Sequence, residues 1–506
     1  MEKEATMNIA KLNEARGLEK PDLIKIIYED RQISNMEIVR EGRKLVAALK
    51  NLGVKRGDRI IVQAPNCPEV LYVFSAAWRL GAVIVPINHM IGEEETAHIY
   101  KDSGAKIVIS SKIYLTKIRA CQAKAPDMKT VILIENEAVE GTFSYHSLVD
   151  QSPEDPAIVD TGDDDIAALI YTAGTTGKAK GVIHTHGTLY ANAAMQHQTF
   201  PPTDGMTYIS ILPLCHSYGI ASTNMSLFRS NRTVLLNSFD LNVIFSSIEK
   251  YSANILAAVP TMYVYMLLYP EPKKFNLSSM KYWVSGSAPL AVETWNKFKN
   301  MYGFEIIEGW GLTEAGANNS CNPMHGLKKI GSIGLPMVGT DMRIVDDYGK
   351  ELPAGEKGEI VISGPQIMKG YWNRPEETAQ AIRDGWLHTG DVGYVDGDGY
   401  FWITDRKKDL IIKGGENISP RTIEEVLYTC PYVSEAAVIG VKDEKYGEEI
   451  KAFVVLHPGE KATTDDILAF SKSKLTNFLL PKYIVFLEAM PKSLVGKILK
   501  TELRKM

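Results

Sequence analysis

The chain has 506 residues, 45% hydrophobic and 23% charged, which gives apolar surface for several buried cores and excludes a mostly disordered chain. Lys plus Arg number 56 and Asp plus Glu 61, so the net charge of -5 lacks the basic excess expected of a nucleic-acid binder. Five cysteines, at 67, 121, 215, 321 and 430, make neither a CxxC pair nor a disulfide framework, and a reducing, cytoplasmic setting is expected.

The first residues, Met1-Glu2-Lys3-Glu4, mix signs and lead into no apolar run, so neither a signal nor a transit peptide is predicted. From about 33 to 110 helices and strands alternate. Ile38, Val39, Leu45, Val46 and Leu49 fall on one helical face. Gly57-Asp58 then turns into a strand over 59–64, followed by a helix over 68–81, a strand over 83–86, a helix from about 92 and a strand over 106–110. The longest apolar stretch, 70–87, is broken by Arg79 and ends at Pro86, so it reads as a buried helix plus a strand and not as a membrane span. This βαβαβ order predicts parallel strands with helices on the sheet faces.

The alternation returns from about 207 to 310, with strands at 208–212, 233–236, 255–258, 282–285 and 305–307. From about 330 the texture changes. Asp346-Asp347-Tyr348-Gly349 and Asp396-Gly397-Asp398-Gly399 are hairpin turns between short strands. The last hundred residues mix α and β, with helices over 422–429 and 463–475. The predicted fold is α/β: a large N-terminal body of two α/β halves with parallel sheets plus a β-rich region, and a small C-terminal α+β unit.

Residues 171–186 read Tyr-Thr-Ala-Gly-Thr-Thr-Gly-Lys-Ala-Lys-Gly-Val-Ile-His-Thr-His. Glycines let the backbone close on a ligand, Thr172, Thr175 and Thr176 offer hydroxyls, and Lys178 and Lys180 offer charge, which together suit a polyphosphate. A Walker A loop would need glycine where Thr172 stands and Ser or Thr where Ala179 stands. An apolar strand follows the loop, whereas a Walker A loop opens a helix.

The loop resembles the YTSGTTGxPKG signature of the AMP-forming acyl-adenylate superfamily, which holds acyl-CoA synthetases, aryl-CoA ligases, luciferases and peptide-synthetase adenylation domains. Ala173 and Ala179 depart from it, replacing a hydroxyl and a rigid proline. Further blocks of that superfamily stand in the same order: Leu212-Pro213-Leu214-Cys215-His216-Ser217-Tyr218-Gly219, Ser285-Gly286-Ser287-Ala288, Glu308-Gly309-Trp310-Gly311-Leu312-Thr313-Glu314, His388-Thr389-Gly390-Asp391, Asp405-Arg406-Lys407-Lys408-Asp409 with Lys413-Gly414-Gly415-Glu416-Asn417-Ile418, and Pro491 to Ile498 around Gly496-Lys497.

The resemblance implies that a carboxylate attacks the α-phosphate of ATP and pyrophosphate leaves. It implies that Thr172, Gly174, Thr175, Thr176, Gly177, Lys178 and Lys180 hold the β- and γ-phosphates, and that Thr313 bonds the α-phosphate. Glu314 would hold Mg²⁺, a hard cation that takes carboxylate oxygen. Trp310 would stack on adenine, with Gly286, Ser287, Ala288, Glu308, Gly309 and Gly311 around the base. Asp391 and Arg406 would meet the ribose, and Lys497 would bridge the acyl carboxylate and the α-phosphate. Lys408 would be the pivot between a body over 1–407 and a mobile domain over 408–506, with Gly414 and Gly415 beyond it among the nucleotide-binding residues. His216 suits the acyl pocket as well as it suits a satisfied core histidine, and His184, His186 and His197 have no metal-site partners and read as caps or pocket lining.

Gly415-Glu416-Asn417-Ile418 and Gly496-Lys497-Ile498-Leu499-Lys500 follow the thioester-forming ligases, and the stretch 339–377 holds no insertion of the kind found in fatty-acyl-AMP ligases. The resemblance therefore implies a CoA ligase acting on a small-molecule carboxylate, with a medium- or long-chain fatty acid preferred to an aryl acid. The alternatives are an aryl-CoA ligase, an enzyme that loads a carrier-protein phosphopantetheine, and a silent nucleotide-binding protein. The acyl pocket is expected near 215–221, 259–263, 285–288, Gly309 and 311–317, with Tyr218, Met225, Met262 and Tyr263 as apolar lining and the small residues Gly286, Ala288, Gly311, Ala315, Gly316 and Ala317 leaving a channel open. No acid stands in Tyr218-Gly219-Ile220-Ala221-Ser222 to hold a substrate ammonium; the nearest, Asp240, reads as a turn.

Overall fold

The computed structural model describes residues 8–172, 178–492 and 496–506. Two large sheets form the bulk of the body. The first runs, in spatial order, Gly370–Tyr371, Lys180–Thr185, Ile166–Thr172, Val83–Pro86, Arg59–Gln63, Ile107–Ser110, Thr130–Leu133 and Phe143–Ser144. Its centre is parallel, as the βαβ order predicts, while Lys180–Thr185 folds back antiparallel on Ile166–Thr172 across the glycine-rich loop. The second runs Leu335–Pro336, Ser320–Cys321, Ile306–Trp310, Tyr282–Ser285, Ile255–Ala258, Thr207–Ser210, Arg232–Leu235, Ile24–Tyr28 and Arg31–Ser34. The hairpin Ile24–Tyr28 with Arg31–Ser34 carries no sequence motif, yet it completes the edge of this sheet by pairing parallel with Arg232–Leu235.

The helix Pro68–Arg79 lies in the layer between the sheets and is buried at every position except Leu71. Burial on all sides is why its sequence is apolar throughout and shows no helical stripe. Of its two charged residues, Glu69 at the start and Arg79 at the end, Arg79 is 1% exposed and pairs with Glu14 at 2.6 Å. The amphipathic helix Asn35–Asn51 packs Ile38, Val39, Leu45, Val46 and Leu49 inward, all five being buried. Among the described residues no helix is long and apolar enough to cross a membrane.

A five-stranded sheet of Asp341–Val345, Gly358–Ser363, Trp386–Val395, Ile382–Arg383 and Phe401–Arg406 follows, its strands antiparallel and Trp386–Val395 turning back into Phe401–Arg406 at the predicted Asp396-Gly397-Asp398-Gly399 hairpin. A separate sheet then forms from Glu416–Ile418, Ile411–Lys413, Gly447–Leu456, Val433–Asp443 and Tyr483–Phe486, covered by the helices Pro420–Tyr428 and Thr464–Lys472. It has its own core around Ile411, Ile423, Val438, Ile450 and Val454.

In the second large sheet, strand Thr207–Ser210 lies between Arg232–Leu235 and Ile255–Ala258. The chain thus leaves Thr207–Ser210 to one side and returns on the other. The loops beyond the carboxyl ends of two diverging neighbours leave a crevice, and ligand sites in open α/β sheets form there. The loop after Ser210 carries Leu212 to His216, and Ala258 leads through Val259 straight into the helix Pro260–Leu267, whose first turn carries Pro260 and Thr261.

Candidate active site

A cavity of about 1160 Å³ opens at that crevice and runs between the body and the C-terminal unit. It is larger than a single small ligand needs and has room for a nucleotide beside a second molecule. Its walls bring together Thr172, His216, Gly286, Ser287, Ala288, Glu308, Gly309, Trp310, Gly311, Thr313, Glu314, Asp391, Arg406, Lys408 and Lys497, residues drawn from 326 positions of chain. Gly174, Thr175, Thr176 and Gly177 lie outside the described residues, as do 493–495 of the lysine block.

Asp391 anchors the charged end. Its carboxylate accepts from the Trp310 indole Nε1 at 2.9 Å and pairs with the Arg406 Nε at 2.8 Å. Antiparallel pairing of Asp391 with Arg406 across the two strands places these side chains opposite each other. Each carboxylate oxygen keeps a lone pair beyond these contacts, open to a further donor.

Thr313 is fixed from two sides. Its hydroxyl donates to the Ser217 Oγ at 3.2 Å, and its carbonyl accepts from His184 Nε2 at 2.7 Å. His184 is buried and its Nδ1 meets Thr188 Oγ1 at 3.1 Å. Burial pushes the imidazole down to about 4, so near neutral pH it stays uncharged and holds backbone. The expectation that His184 caps or lines the pocket is replaced by this buried tie, while His197 stacks on Phe228. Among the described residues no group of three His, Cys, Asp or Glu could hold a metal ion.

His216 caps the helix Ser217–Ser226 by accepting from the Tyr218 N–H. Burial first, and then the nearby Lys497 charge, hold its imidazole down to about 4. Lys497 is enclosed by protein yet presents its side chain to the open cavity. Enclosure, with Arg406 and Lys408 adding repulsion and Asp391 opposing it, lowers its ammonium to about 8. Gly496 makes this approach possible: a Cβ there would stand 2.2 Å from the Thr261 Oγ1, and its φ is +69°. Glu308 is buried too, accepting from the Gly331 N–H at 2.9 Å, and burial raises its carboxyl to about 7.

The backbone around the blocks 285–288 and 308–317 is strained. Ser287 and Ala317 adopt positive φ of 70° and 94°, each costing roughly 1–3 kcal/mol. Gly311 explains its own identity, since a Cβ there would fall 1.3 Å from the Ala317 carbonyl oxygen. Its smallness serves close backbone approach and does not open a channel.

Other expectations are corrected. Met262 and Tyr263 do not line the cavity but sit in the core of the second sheet, where the Tyr263 hydroxyl donates to the Val284 carbonyl at 2.9 Å. Ala315 is packed in another core, and Gly316 faces Asn192. Gly414 and Gly415 form the turn between Ile411–Lys413 and Glu416–Ile418, with Gly414 facing Tyr446 and Phe478 and neither glycine on the cavity wall. The expected phosphate contacts of Lys178 and Lys180 are not overturned: both border residues 173–177, which lie outside the described ones, with Lys178 exposed and Lys180 paired with Glu377. Asp240 is the N-cap of Leu241–Tyr251 and accepts from the Asn242 and Val243 N–H groups.

Asp405 belongs to the hinge block, but no role for its side chain was expected. Its carboxylate accepts from Ser419 Oγ at 2.9 Å and the Arg421 N–H at 3.2 Å, joining the body to the C-terminal unit beside Lys408. Arg421 also donates to the Ile403 carbonyl at 2.7 Å.

The chain matches a family model described as AMP-binding enzyme over residues 14–372 and one described as AMP-binding enzyme C-terminal domain over 422–497. It is 36% identical to a long-chain-fatty-acid–CoA ligase of Bacillus subtilis, covering 96% of this chain and 91% of the relative. It is 36% identical to a feruloyl-CoA synthase of Amycolatopsis sp., covering 97% of each. The ATP-bound structure of MatB from Rhodopseudomonas palustris superposes with a TM-score of 0.91 at 32% identity, over 98% of both chains.

Proposed function

We propose, on the premise that the chain belongs to the AMP-binding enzyme family and is an AMP-forming acid–thiol ligase, that its acid is a medium- or long-chain fatty acid and its acceptor is CoA. The observation carrying this reading is the polarity of the cavity. Asp391, Arg406, Lys408 and Lys497 gather at one end, while Ile26, Ile38, Phe74, Leu214, Ile209 and Leu235 wall other parts of it. A carboxylate at the charged end with an apolar body along those walls matches both. Asp240, the acid nearest in sequence to the acyl-pocket block, is committed to capping its helix and is not free to hold an α-ammonium.

In this reading an oxygen of the substrate carboxylate attacks the α-phosphorus of ATP, pyrophosphate departs, and an acyl-AMP mixed anhydride remains. The thiolate of CoA then attacks the acyl carbon and AMP leaves. Lys497 bridges the carboxylate and the α-phosphate, placing positive charge where negative charge gathers in the first step. In this reading the Thr313 hydroxyl turns its proton from Ser217 to the α-phosphate and accepts from the Ser217 hydroxyl instead, while His184 holds its carbonyl. Asp391 accepts from the ribose hydroxyls with Arg406 beside it, and Trp310 faces the base while its indole N–H steadies Asp391. The 408–506 unit turns about Lys408 between the two steps.

Glu314 offers one carboxylate to a cation, and phosphate and water would complete the shell, as suits Mg²⁺ on a nucleotide. When bound, the ion would offset charge on the phosphate oxygens.

Asp391→Ala should raise the apparent KM for ATP and leave the fold intact. Hydrogen bonds to a charged acceptor contribute roughly 1.5–3 kcal/mol each, so kcat/KM for ATP should fall at least about tenfold. Steady-state kinetics at varied ATP test this, and an unaltered ATP dependence refutes the ribose assignment. The acid is tested by CoA-dependent AMP release across a carboxylate panel. In a fatty-acid series each methylene buried along the apolar wall should add about 0.8 kcal/mol until the cavity ends, so kcat/KM rises and then falls. Near-zero rates along that series beside brisk turnover of benzoate or cinnamate analogues would reject the fatty acid and keep the CoA ligase.

A further inference from the structure

Tyr371 stands between two charged groups that the sequence places far apart. Its hydroxyl donates to the Glu314 Oε1 at 3.0 Å, and the Lys180 Nζ lies 5.3 Å from the centre of its ring. Tyr371 pairs in register with Val182, two residues from Lys180, on the outer edge of the first sheet. Its backbone N–H is held by Thr378 Oγ1 at 2.8 Å. A second tie joins the same segment to Glu314, whose carbonyl accepts from the Met368 N–H at 2.8 Å. Lys180 also pairs with Glu377. The ring offers its negative face to the ammonium and its hydroxyl to the carboxylate, so one rigid side chain orients both a cation and an anion.

We propose that Tyr371 is a positioning residue that couples the Lys180 ammonium to the Glu314 carboxylate, presenting the two to the phosphates of the nucleotide as one preset unit. This rests on the reading of Lys180 as a phosphate contact and Glu314 as the metal-side carboxylate. The hydroxyl limits rotation of the Glu314 carboxylate and leaves its other oxygen for the cation. The ring keeps Lys180 beside the strand that carries it. Side chains already oriented lose less freedom when the ligand arrives.

Tyr371→Phe separates the two contacts, because it keeps the ring under Lys180 and removes only the hydroxyl. Equilibrium binding of a fluorescent ATP analogue is followed during Mg²⁺ titration without acid or CoA, and melting curves accompany each variant. The Mg²⁺ concentration for half-maximal binding should rise about tenfold, the scale of one charge-assisted hydrogen bond. Binding of the analogue without metal should stay at the parental value, which a general loss of packing would not spare. Glu314→Gln should shift the titration at least as far, and adding Tyr371→Phe to it should change nothing more, since the hydroxyl acts through that carboxylate. A Tyr371→Phe titration that overlays the parent while Glu314→Gln shifts it overturns the proposal and leaves the Glu314 assignment standing. A Glu314→Gln titration that overlays the parent overturns the Glu314 assignment and the proposal with it.

Discussion

Lys497→Ala is expected to lower acyl-adenylate formation by roughly 100- to 1000-fold, the cost of removing one preorganised donor to a developing anion. Thioester formation from supplied acyl-AMP should fall far less, because in the proposed reading Lys497 serves the α-phosphate through the face of the C-terminal unit turned toward Asp391 and Arg406. ATP–pyrophosphate exchange measures the first step, and release of AMP from added acyl-AMP and CoA measures the second. Equal damage to both would sink the assignment. The ionisation of Lys497 adds a pH signature. Its enclosure by surrounding protein and the charges of Arg406 and Lys408 hold its ammonium down to about 8, so below that pH the free enzyme carries the charge the proposed first step needs, and above it the charge is lost. Exchange measured as kcat/KM should therefore decline as pH rises through about 8. Bound triphosphate favours the charged form, so the decline in kcat should lie at higher pH. Lys497→Ala should show neither limb.

Lys408→Pro is the second large effect. Proline fixes φ near -65° and also restricts the residue before it, so a backbone that must take two conformations at this point is held in one. ATP–pyrophosphate exchange should remain near the parental rate, because the structure already places Lys497 beside Asp391 and Arg406. Transfer to CoA should fall to background, as a step that requires reorientation of the C-terminal unit is blocked. Unchanged overall turnover counts against Lys408 as the pivot.

Parts of this architecture were legible because local chemistry decides them. Strand Val83–Pro86 is a β-branched run closed by a proline, and Ile255–Ala258 and Tyr282–Ser285 were predicted at their observed bounds. Strand Ile306–Trp310 runs three residues past its predicted end, through a glycine that reads as a break, because Ser320–Cys321 folds back and pairs with Gly309 and Trp310. The N-terminal hairpin was not legible. Ile24–Tyr28 is short and carries Lys25, whose ammonium is buried against the Arg229 carbonyl at 3.0 Å and Asn231 Oδ1 at 2.9 Å, partners two hundred residues away. The candidate site divides the same way. Motif residues at strand ends converge as expected, whereas the side chains that hold them, His184, Tyr371 and Asp405, act across 129, 57 and 14 residues; Tyr371 stands in no quoted motif, and the motifs that contain His184 and Asp405 do not say what their side chains bond. Met262 and Tyr263 failed as pocket residues because apolar residues after a strand serve a core as readily as a ligand.

The bonds from Asp405 to Ser419 and Arg421 have a mechanical consequence. In the proposed rotation they lie close to the pivot at Lys408, where a bond would have almost no lever arm and would oppose little torque however strong it is. Such bonds set the axis of rotation more than its resistance. The leverage belongs to the opposite end of the moving unit, where Gly496 meets Thr261 and Lys497 reaches the cavity. If the unit turns as proposed, the contacts with most leverage over the rotation are those at the nucleotide end, so loss of the pyrophosphate charge there would ease it far more than breaking the Asp405 bonds.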